Sequence, residues 1–430
     1  MAPTGQAGIS YHAESTTARP LVAPPPRTGR RLRIGLLGMF GAGNLGNEGS
    51  LAAVLAMLRR DYPDADLLCI CWDPARVRAE HGVAATAIRK SQEEADATRG
   101  RGNAILPKAC GKLREILETN RHLAGLDVLI VPGTGVLDDF GENPRGLPYS
   151  LLRWCIGARL RGVKLAFVSV GAGPIRHPVS RWMMGCAARV AHYRSYRDED
   201  SRLFMERLGC RNSRDAVYPD VVFALPKPEL RERLRPATGG LTVGLGVMAY
   251  YGWYGNPNGS HAPDRSYLRK ITQFAGWLLE QGHGIRILVG EASDATASTE
   301  LETALRQGWP EARNRLRADP CTSLHMLMEQ IADTDIVVAT RFHNIVCALK
   351  MGKPTISLGY ARKNEALQND VGLVDYSQHI ETFAVDRLTQ QFEQLLRERA
   401  HHAAMIRTRV EDYRSQLARQ DAALAVWLDR

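Results

Sequence analysis

Residues 340–344 read TRFHN, between the apolar runs DIVVA (Asp335–Ala339) and IVCAL (Ile345–Leu349). The pattern predicts a buried strand, then a helix with Phe342, Ile345, Val346 and Leu349 on one face. Arg341 and His343 then fall in its first turn, where the helix dipole is already positive. Two basic groups there forgo roughly 0.3–1 kcal/mol each unless an anion binds. The chemistry this indicates is anion binding. The alternative is a salt-bridged arginine beside a satisfied, buried histidine.

Other groups add to that chemistry. YRSYRDEDS (Tyr193–Ser201) puts Arg194, Arg197, Asp198 and Ser201 at a strand-to-helix junction. Arg197 suits a phosphate or carboxylate held by two hydrogen bonds, or it forms a surface ion pair while Asp198 or Ser201 caps the helix. In PGTGVLDDF (Pro132–Phe140), Asp138 and Asp139 either bind sugar hydroxyls or cap a helix. With no histidine nearby they are weak evidence for a metal. GAGNLG (Gly41–Gly46) meets the GxGxxG pattern between a strand and a helix, with Asp73 ending the next strand where an acid would meet a ribose. Asn44, Asn47 and Glu48 make this loop polar. A dinucleotide site, a polar substrate site and a plain turn with Glu48 at the helix N-terminus all stay open. MAYYGWYGN (Met248–Asn256) places aromatic residues, Tyr251 among them, where they stack on a sugar ring or enter the core.

The elements that must hold these groups alternate. RLRIGLLGMF, ADLLCICWDP, LDVLIVPGTG and GVKLAFVSVGAGP read as strands, each followed by a loop with glycine or an acid, and LAAVLAMLRRDYP has helical spacing. DAVYPDVVFAL closes a first half. After PKPELRERLRPATGG (Pro226–Gly240) the pattern restarts with LTVGLGVMAYYGW, a helix over about residues 266–281, GIRILVGE, a variable polar stretch, DIVVAT, KPTISLGY and a long helical end. This is an α/β chain with two parallel, doubly wound sheets. The expected divisions are a disordered tail at 1–30, a first domain at 31–228, a linker at 229–240, a second domain at 241–385 and a helical segment at 386–430. Ligands of such sheets sit beyond the carboxyl ends of the strands, so the cleft between the two is the expected site.

Composition narrows the class. The 430 residues are 44% hydrophobic and 24% charged, enough for two cores. No apolar run approaches the ~20 residues of a spanning helix. The tail has no signal-peptide core, and the eight cysteines include no CxxC pair, which points to the cytosol without disulfides or structural zinc. The net charge of +10 is spread without a basic block, so no nucleic-acid partner is indicated; the arginine excess reflects either coding bias or an attraction for an anionic substrate or membrane surface. SRWMMGCAARVAHYR (Ser180–Arg194) is a basic amphipathic stretch, either touching a bilayer or packed with Trp182 and Met183 in the core.

Taken in order, the motifs resemble the polysaccharide pyruvyl transferase family. GNLGNEGSL (Gly43–Leu51) resembles its Gly-Asn-x-Gly-Asp-Glu loop, with Asn47 where aspartate is usual. PGTGVLDD resembles its Gly-rich loop before an acid. SVGAGPI (Ser169–Ile175), YRDEDS and PDVVFAL (Pro219–Leu225) are similar to its Gly-x-Gly-Pro, Arg-Asp-x-x-Ser and Pro-Asp segments. TRFHNIVCALKMGKPTISLGYARKNEAL is similar to its Arg-x-His helix, Gly-x-Pro turn and Tyr-x-x-Lys. The likeness covers about residues 33–375.

The resemblance implies two Rossmann-like domains facing a cleft, as in GT-B glycosyltransferases. It implies transfer of a pyruvyl group from phosphoenolpyruvate to two sugar hydroxyls, giving a ketal and phosphate, with no cofactor and no metal. His343 and Arg341 would be catalytic. Arg197, Lys363, Asn344 and Tyr360 would bind the donor. Asn44, Asn47, Glu48, Asp138, Asp139 and Tyr251 would bind the acceptor, a sugar of a cell-surface polysaccharide or its lipid-linked precursor. Such acceptors imply a cytoplasmic enzyme with peripheral contact to the inner membrane. The competing readings are a glycosyltransferase using a nucleotide sugar, a non-catalytic sugar- or nucleotide-binding protein, and, last, a nicotinamide oxidoreductase.

Overall fold

The computed structural model describes residues 31–89, 105–229, 240–251 and 265–429. The expected tail, almost all of the expected linker and most of the aromatic loop after Tyr251 lie outside them.

Two fully parallel sheets organise the chain. The first comprises β1 (Arg33–Leu37), β2 (Asp66–Cys71), β3 (Ala84–Ala87), β4 (Val128–Pro132), β5 (Lys164–Val170), β6 (Tyr193–Tyr196) and β7 (Ala216–Val217) in the order β3-β2-β1-β4-β5-β6-β7. The second comprises β8 (Thr242–Gly246), β9 (Gly284–Leu288), β10 (Leu316–Arg317), β11 (Ile336–Ala339), β12 (Thr355–Gly359) and β13 (Ser377–His379) in the order β10-β9-β8-β11-β12-β13. Helices cover both faces, which is why the central strands are apolar throughout: β4, β11 and β12 are buried at every residue. In each sheet the strand order reverses at one place, between β1 and β4 and between β8 and β11. Loops diverge there and leave a crevice.

The loop after β1 is built for a sharp entry into a helix. Gly41 and Gly43 take φ of +81° and +86°, a region that favours glycine. Asn44 then caps the helix Leu45–Asp61, its side chain accepting from the Gly46 and Asn47 N–H groups. Asp73, expected to meet a ribose, instead caps the helix Pro74–His81 by accepting from Ala75 and Arg76. Two bare N–H groups at a helix start outcompete a distant ligand for that carboxylate.

The final helix, Arg399–Asp429, crosses back to the first sheet. Gln420 accepts from the hydroxyls of Ser169 and Ser195 at 2.7 and 3.1 Å. Asp421 pairs with Arg60 at 2.9 Å, and Trp427 packs on Tyr193. The helix Pro178–Arg189 does not bury its tryptophan as the packed alternative required: Trp182 is 59% exposed, with Val179 also exposed.

Candidate active site

The two reversal points face a common cavity of about 450 Å³, lined by residues from the loops after β1, β4, β6, β8, β9, β11 and β12. The loops after β1 and β9 are stitched together at its edge. Leu45 N–H donates to the Gly290 carbonyl (3.2 Å), Ala292 N–H to the Gly43 carbonyl (3.0 Å), and the Asn44 amide to Glu291 (3.2 Å).

Arg341 starts the helix Phe342–Lys350 at the N-cap position. Its charge is not uncompensated, as the sequence suggested. Nε and Nη2 donate to the two Asp294 oxygens at 3.0 and 2.7 Å, and Nη1 pairs with Glu291 at 2.6 Å. Burial works against the guanidinium, but Asp294 and Glu291 outweigh it and hold its pKa above the ordinary value. The basic excess at this helix start is neutralised by two acids from the loop after β9, and Arg341 braces that loop while lining the cavity.

His343, one half-turn on, also lines the cavity. Its ring lies against Gly46 so closely that a Cβ there would fall 1.9 Å from Nδ1. The last glycine of the GxGxxG pattern thus makes room for an imidazole from the other domain. Nε2 faces Asp220 at 3.6 Å.

Arg197 and Lys363 form a different kind of wall. The Arg197 guanidinium is buried in a cradle over Gly171, where a Cβ would lie 2.3 Å from Nη2, and stacks 4.4 Å from the Phe342 ring centre. Its acidic contacts are long, 3.5 Å to Asp198 and 3.6 Å to Asp220, and its buried Nε has no hydrogen-bond partner. Lys363 lies 3.9 Å from Asp138 and 5.1 Å from the Tyr360 ring centre. Both cations converge on Gly135: a Cβ built there would lie 3.9 Å from Arg197 Nη2 and 4.0 Å from Lys363 Nζ. Asp138 stands 3.1 Å from the same point. Burial pushes its carboxyl up, against the pull of Lys363 and Arg197, and its pKa is above the ordinary carboxylate value.

The remaining expected site residues divide. Asn47, Tyr251 and Tyr360 line the cavity, and Tyr360 packs on Phe140 at 5.0 Å. Asn44 reaches the cavity edge, but its carbonyl oxygen caps the helix and its amide holds Glu291. Glu48 faces away: one oxygen accepts from Gly41 N–H at 2.6 Å and the other lies 3.8 Å from His81. Asp139 is wholly buried, accepting from the Arg176 and His177 N–H groups at 2.8–3.0 Å. Asn344 is also wholly buried, against Gly246 and Gly290 beneath the strand ends. These three serve backbone or packing, because orphan N–H groups and glycine gaps lay closer than the cavity.

Sequence reasoning passed over Asp220, Glu291, Asp294 and Phe342. Asp220 follows Pro219 in a recognised segment, but the segment offered no sign of facing His343. Among the described residues, one group brings three metal-ligand atoms within 4.8 Å of one another: Glu48, Glu80 and His81. It does not line the cavity, and Arg76 occupies Glu80 at 2.7 Å.

A family model described as polysaccharide pyruvyl transferase matches residues 44–362, well over half the chain. No curated protein matches the chain in sequence. Among solved structures, a glycosyltransferase from Rickettsia africae superposes with a TM-score of 0.57 at 8% identity, over 94% of this chain and 100% of that one. A UDP-GlcNAc 2-epimerase from Methanocaldococcus jannaschii gives 0.54 at 11%, over 85% and 92%. The Neisseria meningitidis UDP-GlcNAc 2-epimerase bound to UDP-GlcNAc gives 0.54 at 9%, over 87% and 93%. At such identities the likeness shows the fold, which is GT-B: two Rossmann-like domains across a cleft.

Proposed function

The chain belongs to the polysaccharide pyruvyl transferase family, and from that premise we propose that it transfers a pyruvyl group from phosphoenolpyruvate to two hydroxyls of an acceptor sugar. The observation that carries this reading is the wall at Gly135, where two incompletely paired cations converge in the same cavity as an imidazole. A compact, multiply charged anion needs such a seat, and Arg197 and Lys363 supply it by charge and hydrogen bonding.

The chemistry balances on this chain's own groups. His343 gives a proton to C3 of the enol, and C2 becomes electrophilic. One sugar hydroxyl adds to C2 and releases its proton, for which Asp138, with its raised pKa, is the base at hand. The phosphate then leaves with the C–O electron pair. The second hydroxyl closes the ketal, and its proton departs with phosphate. Asn47, Tyr251 and Tyr360 are the polar and aromatic groups available to the sugar.

Transfer from a nucleotide sugar is the competing reading; it would have Arg341 hold a diphosphate, and that guanidinium is already engaged by Glu291 and Asp294. Phosphate release from phosphoenolpyruvate, assayed with acceptor glycan extracts beside nucleoside diphosphate release from UDP-sugars, decides between the two. Release of phosphate alone is expected. Release of nucleoside diphosphate alone overturns the reading. No described helix is long and apolar enough to cross a membrane. The exposed Trp182 and Val179, on a helix that also carries Arg181 and Arg189, support peripheral contact with an anionic bilayer.

A further inference from the structure

His343 has two ring nitrogens, and only one can be the working one. Nε2 is buried, without a hydrogen-bond partner, and aimed at Asp220. The facing atom, Asp220 Oδ2, is equally buried and equally without a hydrogen bond, while Oδ1 accepts from Val222 N–H at 3.0 Å. Two orphaned buried groups facing each other at 3.6 Å are costly to leave unmade. They are one short movement from a charge-assisted hydrogen bond, and such bonds are commonly long in the absence of substrate.

We propose that Asp220 is a positioning residue that holds the Nε2–H of His343, so that Nδ1 is the nitrogen that exchanges a proton with the reactants. The inference rests on the general-acid role given to His343 above. Asp220 is itself rigidly placed: Pro219 precedes it, its Oδ1 starts the short helix Val221–Ala224, and it is 4% exposed. Burial would push the Asp220 carboxyl up, but His343 and Arg197 outweigh it, and its pKa lies below the usual carboxylate value.

The same oxygen also lies 3.6 Å from Arg197 Nη1. Asp220 is therefore shared between the cation that faces the donor and the imidazole that delivers the proton. An anion arriving at Arg197 offers the guanidinium a second partner, and Oδ2 is then released toward Nε2. The other groups around the ring leave Asp220 in control of the tautomer. Gly46 presents only backbone at a helix N-terminus, Phe342 packs edge-on at 5.2 Å, and Arg341 on the same helix is committed to Glu291 and Asp294.

The test is long-range ¹H–¹⁵N correlation on the full chain with ¹⁵N-labelled histidine, the His343 signals being assigned by their loss in His343→Gln. The neutral ring is expected to carry its proton on Nε2 in the wild type, and Asp220→Asn is expected to mix the tautomers. Nδ1 protonation in the wild type overturns the proposal without recourse to any variant, as does an unchanged tautomer in Asp220→Asn. In turnover, Asp220→Asn is expected to lower kcat about 100-fold or more while leaving phosphoenolpyruvate affinity within a few fold. An unchanged kcat also overturns the proposal. The tautomer readout needs no substrate: a fixed Nε2–H with no pyruvyl transfer condemns the functional reading alone, and transfer with a free tautomer condemns this inference alone.

Discussion

Two sets of cations face the same cavity and differ in what already holds them. Arg341 makes three short contacts, between 2.6 and 3.0 Å, with two carboxylates. Arg197 and Lys363 make only long ones, between 3.5 and 3.9 Å, and a buried N–H of Arg197 has no acceptor. A cation's place at a helix start does not decide whether it serves a ligand; its existing partners do. Arg341 belongs to the scaffold that joins the helix Phe342–Lys350 to the loop after β9. Arg197 and Lys363 are left with unspent hydrogen-bonding capacity, which is what an anion site requires.

The contrast can be broken most severely at the Gly135 wall. Arg197→Gln with Lys363→Met is expected to abolish measurable phosphoenolpyruvate binding and lower kcat/KM about 1,000-fold or more, since two charge-assisted contacts are lost together; isothermal titration and a phosphate-release assay read both. His343→Gln is next. It should lower kcat about 100- to 10,000-fold with donor affinity nearly unchanged, since proton delivery and not anion binding is removed. Arg341→Met works by a different route. It leaves Asp294 and Glu291 without their cation and is expected to destabilise the fold by about 3–5 kcal/mol, read as a lower denaturation midpoint. If Arg341→Met keeps full stability but loses donor binding, the assignment of the two sets is reversed.

A smaller effect tests the seam on which the His343 helix rests. Lys350, at the other end of that helix, is 2% exposed and donates to the Phe223 carbonyl at 2.6 Å, beside Asp220 in the chain. Burial lowers its pKa to about 8. The unfolded chain therefore binds the extra proton between that value and the free-lysine value of about 10.4, and stability gains from this residue as pH rises through that window. Lys350→Met should remove that rise, a difference of about 1–3 kcal/mol between chemical denaturation at pH 7.5 and pH 10. The smallest expected change is from Trp182→Ser, which should leave turnover unchanged and weaken co-sedimentation with phosphatidylglycerol vesicles a few fold.

Much of the fold was legible because a parallel strand buried on both faces must be an apolar run, and RIGLL, DLLCIC, VLIVP and TISLG are such runs. The strands that escaped are short, at the sheet edges or beside them, and carry little apolar signal: AATA, LR and SQH. The return of the last helix to the first sheet was hidden, since it depends on Gln420 finding two serine hydroxyls far away in the chain. The site shows the same limit. Residue type and loop position placed His343, Arg197, Lys363, Asp138 and Tyr360 near the carboxyl ends of strands, and all five line the cavity. They could not say which carboxylate would be claimed by a backbone N–H, as Glu48 and Asp139 are, or which acids would reach across to Arg341. Those outcomes depend on how chain ends meet in space, and no local pattern carries that information.

We propose that the anion seat lies at Arg197 and Lys363, not at Arg341. Titration of phosphoenolpyruvate into the wild type and into Arg197→Gln/Lys363→Met, both in folded form at the same ionic strength, tests it most directly. Saturable binding to the wild type and none to the double variant is the expected result. Equal affinity in the two would contradict it.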